Sequence, residues 1–102
     1  MKTISIAKDF TPYPGGRIPA DGPHSGQEFR EKFLMPIFET EEKIEIIFDG
    51  VWGYGSSFLE ESFGGLVRRG IPKEKIYKQI TFISKKESII EEVKRYIDSA
   101  RA

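Results

Sequence analysis

The stretch from residue 44 to residue 70, IEIIFDGVWGYGSSFLEESFGGLVRRG, decides the fold. It opens with a compact apolar run whose alternate residues are isoleucine, isoleucine and phenylalanine, a pattern typical of a buried strand. Asp49-Gly50 and further glycines then mark a loop. Two serines open an amphipathic segment that ends at Arg68-Arg69-Gly70, as helices often do. The stretch therefore predicts a strand, a glycine-rich loop and a helix.

Ser56 and Ser57 stand where this helix is predicted to begin. Unpaired backbone N–H groups and the positive end of the helix dipole favour a capping hydroxyl, a bound anion or an attached phosphate there. Capping alone and a regulated site are interpretations of equal weight, because serine caps many helices and the preceding loop is flexible. A phosphate would add about −1.5 to −2 charges at pH 7, favoured by the helix start but opposed by Glu60 and Glu61.

The residues before this stretch predict a strand, a long loop and a first helix. Residues 2–7, KTISIA, alternate as in a strand with one buried face. Residues 8–24 are rich in proline and glycine, so we expect an irregular loop that packs down on the domain. Ser25 and Glu28 have the spacing of a capping box at the start of a helix, which Pro36 should end or kink.

After the helix that follows the serines, residues 72–75 read as a connector, residues 76–84 as a third strand and residues 87–100 as a last helix. The order is β-α-β-α-β-α after a long first loop. Such alternation predicts a single α/β domain, residues 1–102, with helices packed on a small, mostly parallel or mixed β-sheet.

Composition narrows the function classes. The chain has no cysteine and only one histidine, His24, which excludes thiolate and histidine-rich metal sites. Its formal net charge at pH 7 is zero, so neither nucleic acid nor an anionic membrane is an expected partner. With 38% apolar residues and no long apolar run, we expect a cytoplasmic globular protein without a cofactor.

Two groups of motifs carry a family resemblance. GGR at residues 15–17, Gly22 and SGQEFR at residues 25–30 are followed by an apolar strand and GSSFLEESFGGL at residues 55–66. Together they resemble the bacterial STAS-like domains of unknown function, which are distant relatives of the domain shared by sulfate transporters and anti-sigma-factor antagonists. The resemblance covers residues 10–70 by motif and the rest by element order. It implies a small mixed sheet backed by helices and a regulatory binding module.

The resemblance also implies a switch position. The antagonist pattern Asp-Ser-Ser-Gly falls on Gly55, Ser56, Ser57 and Phe58, so the two serines match while the aspartate and the glycine are replaced. Ser56 is then the counterpart of the serine that a partner kinase of the histidine-kinase-like ATPase type phosphorylates.

The aromatic residues of the loop before Ser56 have two interpretations. Trp52 and Tyr54 are expected to fold back on the core, because a lone tryptophan in a small domain is usually structural. The alternative is an exposed aromatic anchor for a protein partner. On that alternative, they extend the predicted partner surface that begins at Gly55.

A second constellation combines Gly15, Gly16, Arg17, Ser25 and Arg30. A glycine turn, two guanidinium groups and a helix N-terminus are together suited to a phosphate or carboxylate. The favoured interpretation is structural, with Arg17 pairing with Asp21, Asp49 or a helix C-terminus to pin the long loop. A triad of His24, Asp49 and Ser56 is not favoured, because the chain has no nucleophile elbow.

The sequence thus predicts a non-enzymatic regulatory module that binds a protein partner, an ATPase or kinase, and is switched by serine phosphorylation. The alternative is a small-anion or nucleotide sensor that uses the Gly-Gly-Arg loop. An enzyme ranks third, and no catalytic residue is assigned. The sequence leaves open whether the chain forms a homodimer.

Overall fold

The computed structural model describes residues 2–102, which form a three-stranded sheet of β1 (Lys2–Ser5), β2 (Ile44–Ile47) and β3 (Ile80–Ile83). The strands lie in the order β1-β2-β3, and both described pairings are parallel. The α/β class is confirmed, but two helices rather than the predicted one separate β2 from β3. The antiparallel component of a mixed sheet does not occur among residues 2–102.

The two helices on either side of β2 each change their hydrogen-bond spacing along their length. Helix α1 is α-helical over Gly26–Phe29, π-helical over Arg30–Leu34 and 3₁₀ over Met35–Glu39. Helix α2 is α-helical over Ser56–Leu59, π-helical over Glu60–Gly64 and α-helical again over Gly65–Arg68. The other helices are α3 (Lys73–Gln79) and α4 (Glu87–Ser99), with single turns at Ile6–Phe10 (π) and Pro19–Asp21 (3₁₀).

The predicted start of α1 is confirmed by its capping geometry. The Ser25 hydroxyl accepts the backbone N–H of Glu28 at 3.2 Å, and the helix begins at the next residue, Gly26. Pro36 lies in the 3₁₀ part, where the α-helical bonds have already ended. The sequence therefore placed the start of this helix correctly, while the change to 3₁₀ bonds begins one residue before Pro36.

The predicted third strand is wrong over its first half. Residues 73–79 form helix α3, which begins after Pro72, and only Ile80–Ile83 pair in the sheet. Ile76 and Gln79 are buried and lie three residues apart, so they share one face of the helix. Gln79 Nε2 also donates to the carbonyls of Ile37, Thr40 and Glu42, at 3.1, 3.0 and 2.9 Å. Tertiary burial and these bonds override the local β pattern.

The core lies between the helices and one face of the sheet. Ile4, Ile46 and Phe82 are in register across the three strands, and all three pack in or against the hydrophobic core. The next row, Thr3, Glu45 and Thr81, points to the opposite face, where Thr3 and Thr81 are exposed. The described residues thus form two layers.

Helices α1 and α2 approach each other closely at glycines. A Cβ on Gly26 would lie 2.7 Å from the carbonyl oxygen of Phe58 and 2.8 Å from Cβ of Glu61. A Cβ on Gly65 would collide with the guanidinium group of Arg30. Gly65 thus leaves room for the Arg30 side chain against α2.

We predict that Gly26→Ala lowers the free energy of unfolding by about 1–3 kcal/mol, because the added methyl group meets the backbone of α2 and forces the helices apart. Denaturant unfolding measures the loss. Gly15→Ala is the matched control, since nothing lies within 4 Å of the added Cβ. Equal stabilities of the two variants would contradict the close helix contact.

Candidate functional site

The loops that follow the three strands meet at one edge of the sheet. Because the strands are parallel, their carboxyl ends share that edge, which is where ligands of open α/β sheets usually bind. The Trp52 backbone N–H donates to the Pro12 carbonyl at 3.1 Å, joining the loop after β2 to the loop after β1. The Asp49 carboxylate accepts the backbone N–H of Lys85 at 2.9 Å, joining the ends of β2 and β3. These bonds hold the loops together.

Two aromatic side chains project from this edge. The rings of Tyr13 and Trp52 are stacked, with centroids 6.4 Å apart and planes 7° from parallel. Tyr13 is 67% exposed and Trp52 82% exposed. The expectation that Trp52 folds back on the core is therefore wrong. Its backbone bond to Pro12 holds the indole beside Tyr13 instead.

Tyr54 and Phe58 anchor the same loop to the core. The Tyr54 hydroxyl donates to the Phe48 carbonyl at 2.7 Å, and Phe58 is fully buried. Burial raises the pKa of Tyr54, and the nearby Asp49 raises it further. A cavity of about 470 Å³ lies between this loop and the start of α4, where Lys85 and Lys86 are exposed. Of the predicted partner residues, Trp52 is thus exposed and Tyr54 is half-buried, whereas Phe58 lies in the core and cannot belong to a partner surface.

The serine pair begins helix α2 with both side chains exposed. The N-cap residue is Gly55, and no side chain caps this helix. Ser56 and Ser57 thus occupy the first two helical positions rather than the cap. Capping, one of the two interpretations of the pair, does not describe either hydroxyl.

An ion pair between a buried arginine and a partly buried glutamate lies farther along α2. The Arg30 side chain donates from Nη1 to the Glu61 carboxylate at 2.6 Å and to the Glu61 carbonyl at 2.8 Å. Arg30 is only 5% exposed, and its Nε is buried without a hydrogen-bond partner among the described residues. The pair joins the first π-helical residue of α1 to the π-helical part of α2.

Two further arginines complete the network at the surface. Arg17 Nη1, from the long loop, lies 2.6 Å from Glu60 and 3.3 Å from Glu61. Arg68 contacts Glu60 through both terminal nitrogens, at 2.6 and 3.0 Å. The network therefore consists of Arg17, Arg30, Arg68, Glu60 and Glu61.

The charges of this network are closely balanced. Its three guanidinium groups face two carboxylates, and Glu31 lies 4.0 Å from Arg30. The pKa of Glu60 lies below its ordinary value, mainly because Arg68 and then Arg17 donate to the carboxylate. The same contacts with Glu60 raise the pKa values of Arg17 and Arg68. The arginines thus offset the negative charges of Glu60 and Glu61, which weakens the repulsion between these carboxylates and a phosphate on the serines.

The glycine turn, Arg17, Ser25 and Arg30 do lie together as predicted, but hydrogen bonds within the protein occupy the start of α1 and hold both arginines. The backbone N–H of Gly26 donates to the carbonyl of Gly16, and that of Gln27 donates to the carbonyl of Arg17, both at 2.9 Å. These bonds and the Ser25 cap occupy the start of α1, while Arg17 and Arg30 are held by glutamates. Gly15 donates its N–H to His24 at 3.2 Å. This geometry favours the structural interpretation over an anion site.

The partners of Arg17 differ from those that the sequence suggested. Asp21 accepts the backbone N–H of Arg17 at 3.0 Å, whereas the guanidinium reaches Glu60 and Glu61. Helical spacing alone leaves both glutamates opposite the apolar face of α2. One signal in the sequence could have suggested this pairing. The two groups of motifs that carry the family resemblance have opposite charges, with Arg17 and Arg30 in the first and the two glutamates in the second.

His24 and Asp49, the other polar residues that the sequence singled out at this edge, each make contacts within the fold. His24, with a φ of 66°, packs edge-on against Phe10 at 5.4 Å. The Asp49 carboxylate accepts the backbone N–H of Lys85. Within residues 2–102, no cluster of three or more His, Asp or Glu residues is placed to hold a metal ion. Nor is any helix there long and apolar enough to cross a membrane.

Fold and site together define a small α/β domain with a parallel sheet and a serine-bearing helix start at its carboxyl edge. A family model, "STAS-like domain of unknown function (DUF4325)", matches residues 25–89, more than half of the chain. The protein therefore belongs to the family of STAS-like domains of unknown function, as its motifs predicted. Searches of curated proteins and of solved structures each returned no match.

We predict that Glu60→Gln lowers stability at pH 7 by about 1 kcal/mol, a small value because solvent screens this partly exposed group. A lowered carboxyl pKa stabilises the fold above the ordinary value, about 4.3, and this contribution disappears as the pH falls through the lowered pKa. The difference between the wild type and Glu60→Gln should therefore shrink below about pH 4. Thermal unfolding at several pH values measures it.

Glu91→Gln is the control for this pH dependence, because it removes an exposed carboxylate outside the network. An acid-dependent loss of the same size in both variants would show that general surface charge, and not the contacts of Glu60, causes the effect.

Proposed function

We propose that the domain is a cytoplasmic, non-enzymatic regulatory module that binds a protein partner at the carboxyl edge of its sheet. The docking surface consists of Tyr13, Trp52, Tyr54, Ser56 and Ser57. The observation that carries this proposal is the exposed, stacked pair of Tyr13 and Trp52. STAS-like domains are generally non-catalytic, which agrees with a binding role.

The aromatic pair has the properties of an interface anchor. Tryptophan and tyrosine are enriched among the residues that contribute most to binding energy, since they bury large areas at a small entropic cost. Here the Trp52 bond to Pro12 and the Tyr54 bond to Phe48 fix the backbone on both sides of the exposed indole. A partner would therefore meet a preorganised surface, which lowers the cost of binding.

The serines supply the regulation in this proposal. Both are exposed at the start of α2, four and five residues after Trp52. A partner kinase of the histidine-kinase-like ATPase type would transfer the γ-phosphoryl group of a nucleoside triphosphate. The serine oxygen forms the new P–O bond, the bond to the β-phosphate oxygen breaks, and the hydroxyl proton leaves to a base of the kinase. The added dianion changes the charge of the docking surface and releases the partner.

We predict that Trp52→Ala weakens partner binding by about 2 kcal/mol or more, roughly 30-fold, as expected for a central aromatic anchor. Ser57→Glu should also weaken binding, because it brings negative charge to the same surface. The purified domain and its variants are used to capture partners from a lysate of the source organism, and affinity for each captured protein is then measured by calorimetry. Thermal unfolding verifies that each variant is folded.

Tyr77→Ala is the control, since it removes a partly exposed aromatic residue that lies next to Asp98 at the far end of α4. The proposal requires a protein that is retained by the wild type and by Tyr77→Ala but lost with Trp52→Ala. If every captured protein binds Trp52→Ala as tightly as the wild type, the carboxyl edge is not the docking surface. Mass spectrometry of the domain from its source should find phosphate on Ser56 or Ser57, and its consistent absence would contradict the phosphorylation step.

A further inference from the structure

Helical spacing places Ser57 on the same face of α2 as both carboxylates that hold Arg17. Ser57 precedes Glu60 by three residues and Glu61 by four, and residues at these spacings are neighbours on a helix surface. Ser56 precedes Glu60 by four residues but Glu61 by five, which turns it away from the second carboxylate. Of the two serines, Ser57 is therefore the one that neighbours both of the carboxylates that Arg17 contacts.

Arg17 is the member of the network that is free to change partners. Its side chain is 44% exposed and is held through Nη1 alone. Arg30, by contrast, is buried and donates to both the carboxylate and the carbonyl of Glu61. The other guanidinium nitrogens of Arg17 make no hydrogen bond to a described residue, so they are free for a further acceptor.

The glutamates do not depend on Arg17. Arg68 holds Glu60 through two nitrogens, and Arg30 holds Glu61 at 2.6 Å. If Arg17 moved away, each carboxylate would therefore keep a partner. The exchange leaves no unpaired charge in the partly buried part of the network, which is the usual obstacle to breaking such an ion pair.

We propose that a phosphate on Ser57 captures Arg17 from Glu60 and thereby couples the serine to the aromatic pair. This rests on the proposed function, in which the phosphoryl group comes from a nucleoside triphosphate through the partner kinase. A phosphate dianion is a stronger acceptor for guanidinium than a carboxylate that two arginines already share. Arg17 is the phosphate receptor of the switch.

The coupling follows from the loop that carries Arg17. Tyr13 precedes Arg17 by four residues, and the carbonyl of Pro12 accepts the backbone N–H of Trp52. When Arg17 leaves Glu60 and Glu61, the loop loses the side-chain contacts that tie it to α2, so the segment that stacks against the indole is held less tightly. Phosphorylation alters the docking surface at Trp52 even where the partner does not touch the phosphate.

The test uses the domain with phosphoserine inserted at position 57 during synthesis, so that no kinase and no partner is needed. Phosphorus NMR follows the second ionisation of the phosphate, whose pKa is about 6 in free phosphoserine. Capture by Arg17 should lower this pKa by about one unit, because an opposite charge at hydrogen-bond distance favours the dianion. Arg17→Gln should bring the phosphate pKa most of the way back to its free value while the domain stays folded. Arg17→Lys should bring it only part of the way back.

Fluorescence of Trp52, the only tryptophan of the chain, reports the coupling. Phosphate at Ser57 should change its emission and its quenching by acrylamide in the wild type but not in Arg17→Gln. Phosphoserine at position 56 is the matched control, since it carries the same charge at the same helix end. Its phosphate pKa should depend less on Arg17.

A phosphate pKa at position 57 that is equal in the wild type and Arg17→Gln would overturn the proposal. So would equal dependence on Arg17 at positions 56 and 57, or an unchanged Trp52 signal. These results are independent of partner capture. Failure to find a Trp52-dependent partner would therefore contradict the proposed function while leaving the Arg17 measurement unaffected.

Discussion

The structure depends on one buried ion pair, between Arg30 of α1 and Glu61 of α2. A guanidinium group that is almost excluded from water is costly unless a carboxylate and further acceptors compensate it. Glu61 supplies both its carboxylate and its carbonyl. Two glycines make the geometry possible, because Gly65 leaves room for the Arg30 side chain and Gly26 lets the helices approach. The pair thus fixes how α1 and α2 cross.

That crossing positions the surface to which we assign function. With α2 held against α1, Glu60 faces the long loop and binds Arg17, which ties the loop to the start of α2. The loop in turn brings Tyr13 to Trp52 at the carboxyl edge of the sheet. A core interaction and an exposed aromatic pair are therefore linked through a few charged contacts. This linkage explains how a charge change at a serine could reach a docking surface.

The parts of the fold that were predicted from the sequence are those set by local signals. The cap at Ser25, the buried strand before Asp49 and the helix after Gly55 depend on residue spacing within a few turns. Helix α3 was missed because its residues also fit a β pattern, and the burial of Gln79 against distant carbonyls decides the outcome. The exposure of Trp52 was likewise missed, since it depends on a bond to Pro12, forty residues away along the chain.

The candidate site divides in the same way, into local features that the sequence predicted and long-range contacts that it did not. The sequence singled out Arg17, Arg30 and the serines, because glycine turns and helix starts are recognisable locally. It did not pair the arginines with Glu60 and Glu61, since helical spacing alone places an acidic pair on the solvent face. Only the packing of α1 against α2 reveals that this face is covered. Long-range electrostatic pairing is therefore what the sequence pattern could not supply.

A double-mutant cycle between Arg30 and Glu61 tests the central claim most directly. Denaturant unfolding of the wild type, Arg30→Met, Glu61→Gln and the double variant gives the coupling energy of the pair. Glu61→Gln should cost about 3–5 kcal/mol, because it leaves the buried guanidinium of Arg30 without its carboxylate. Arg30→Met should cost less, since the partly buried Glu61 keeps its contact with Arg17. The account predicts that the double variant recovers at least about 1 kcal/mol relative to the sum of the single changes. Strictly additive effects would contradict it.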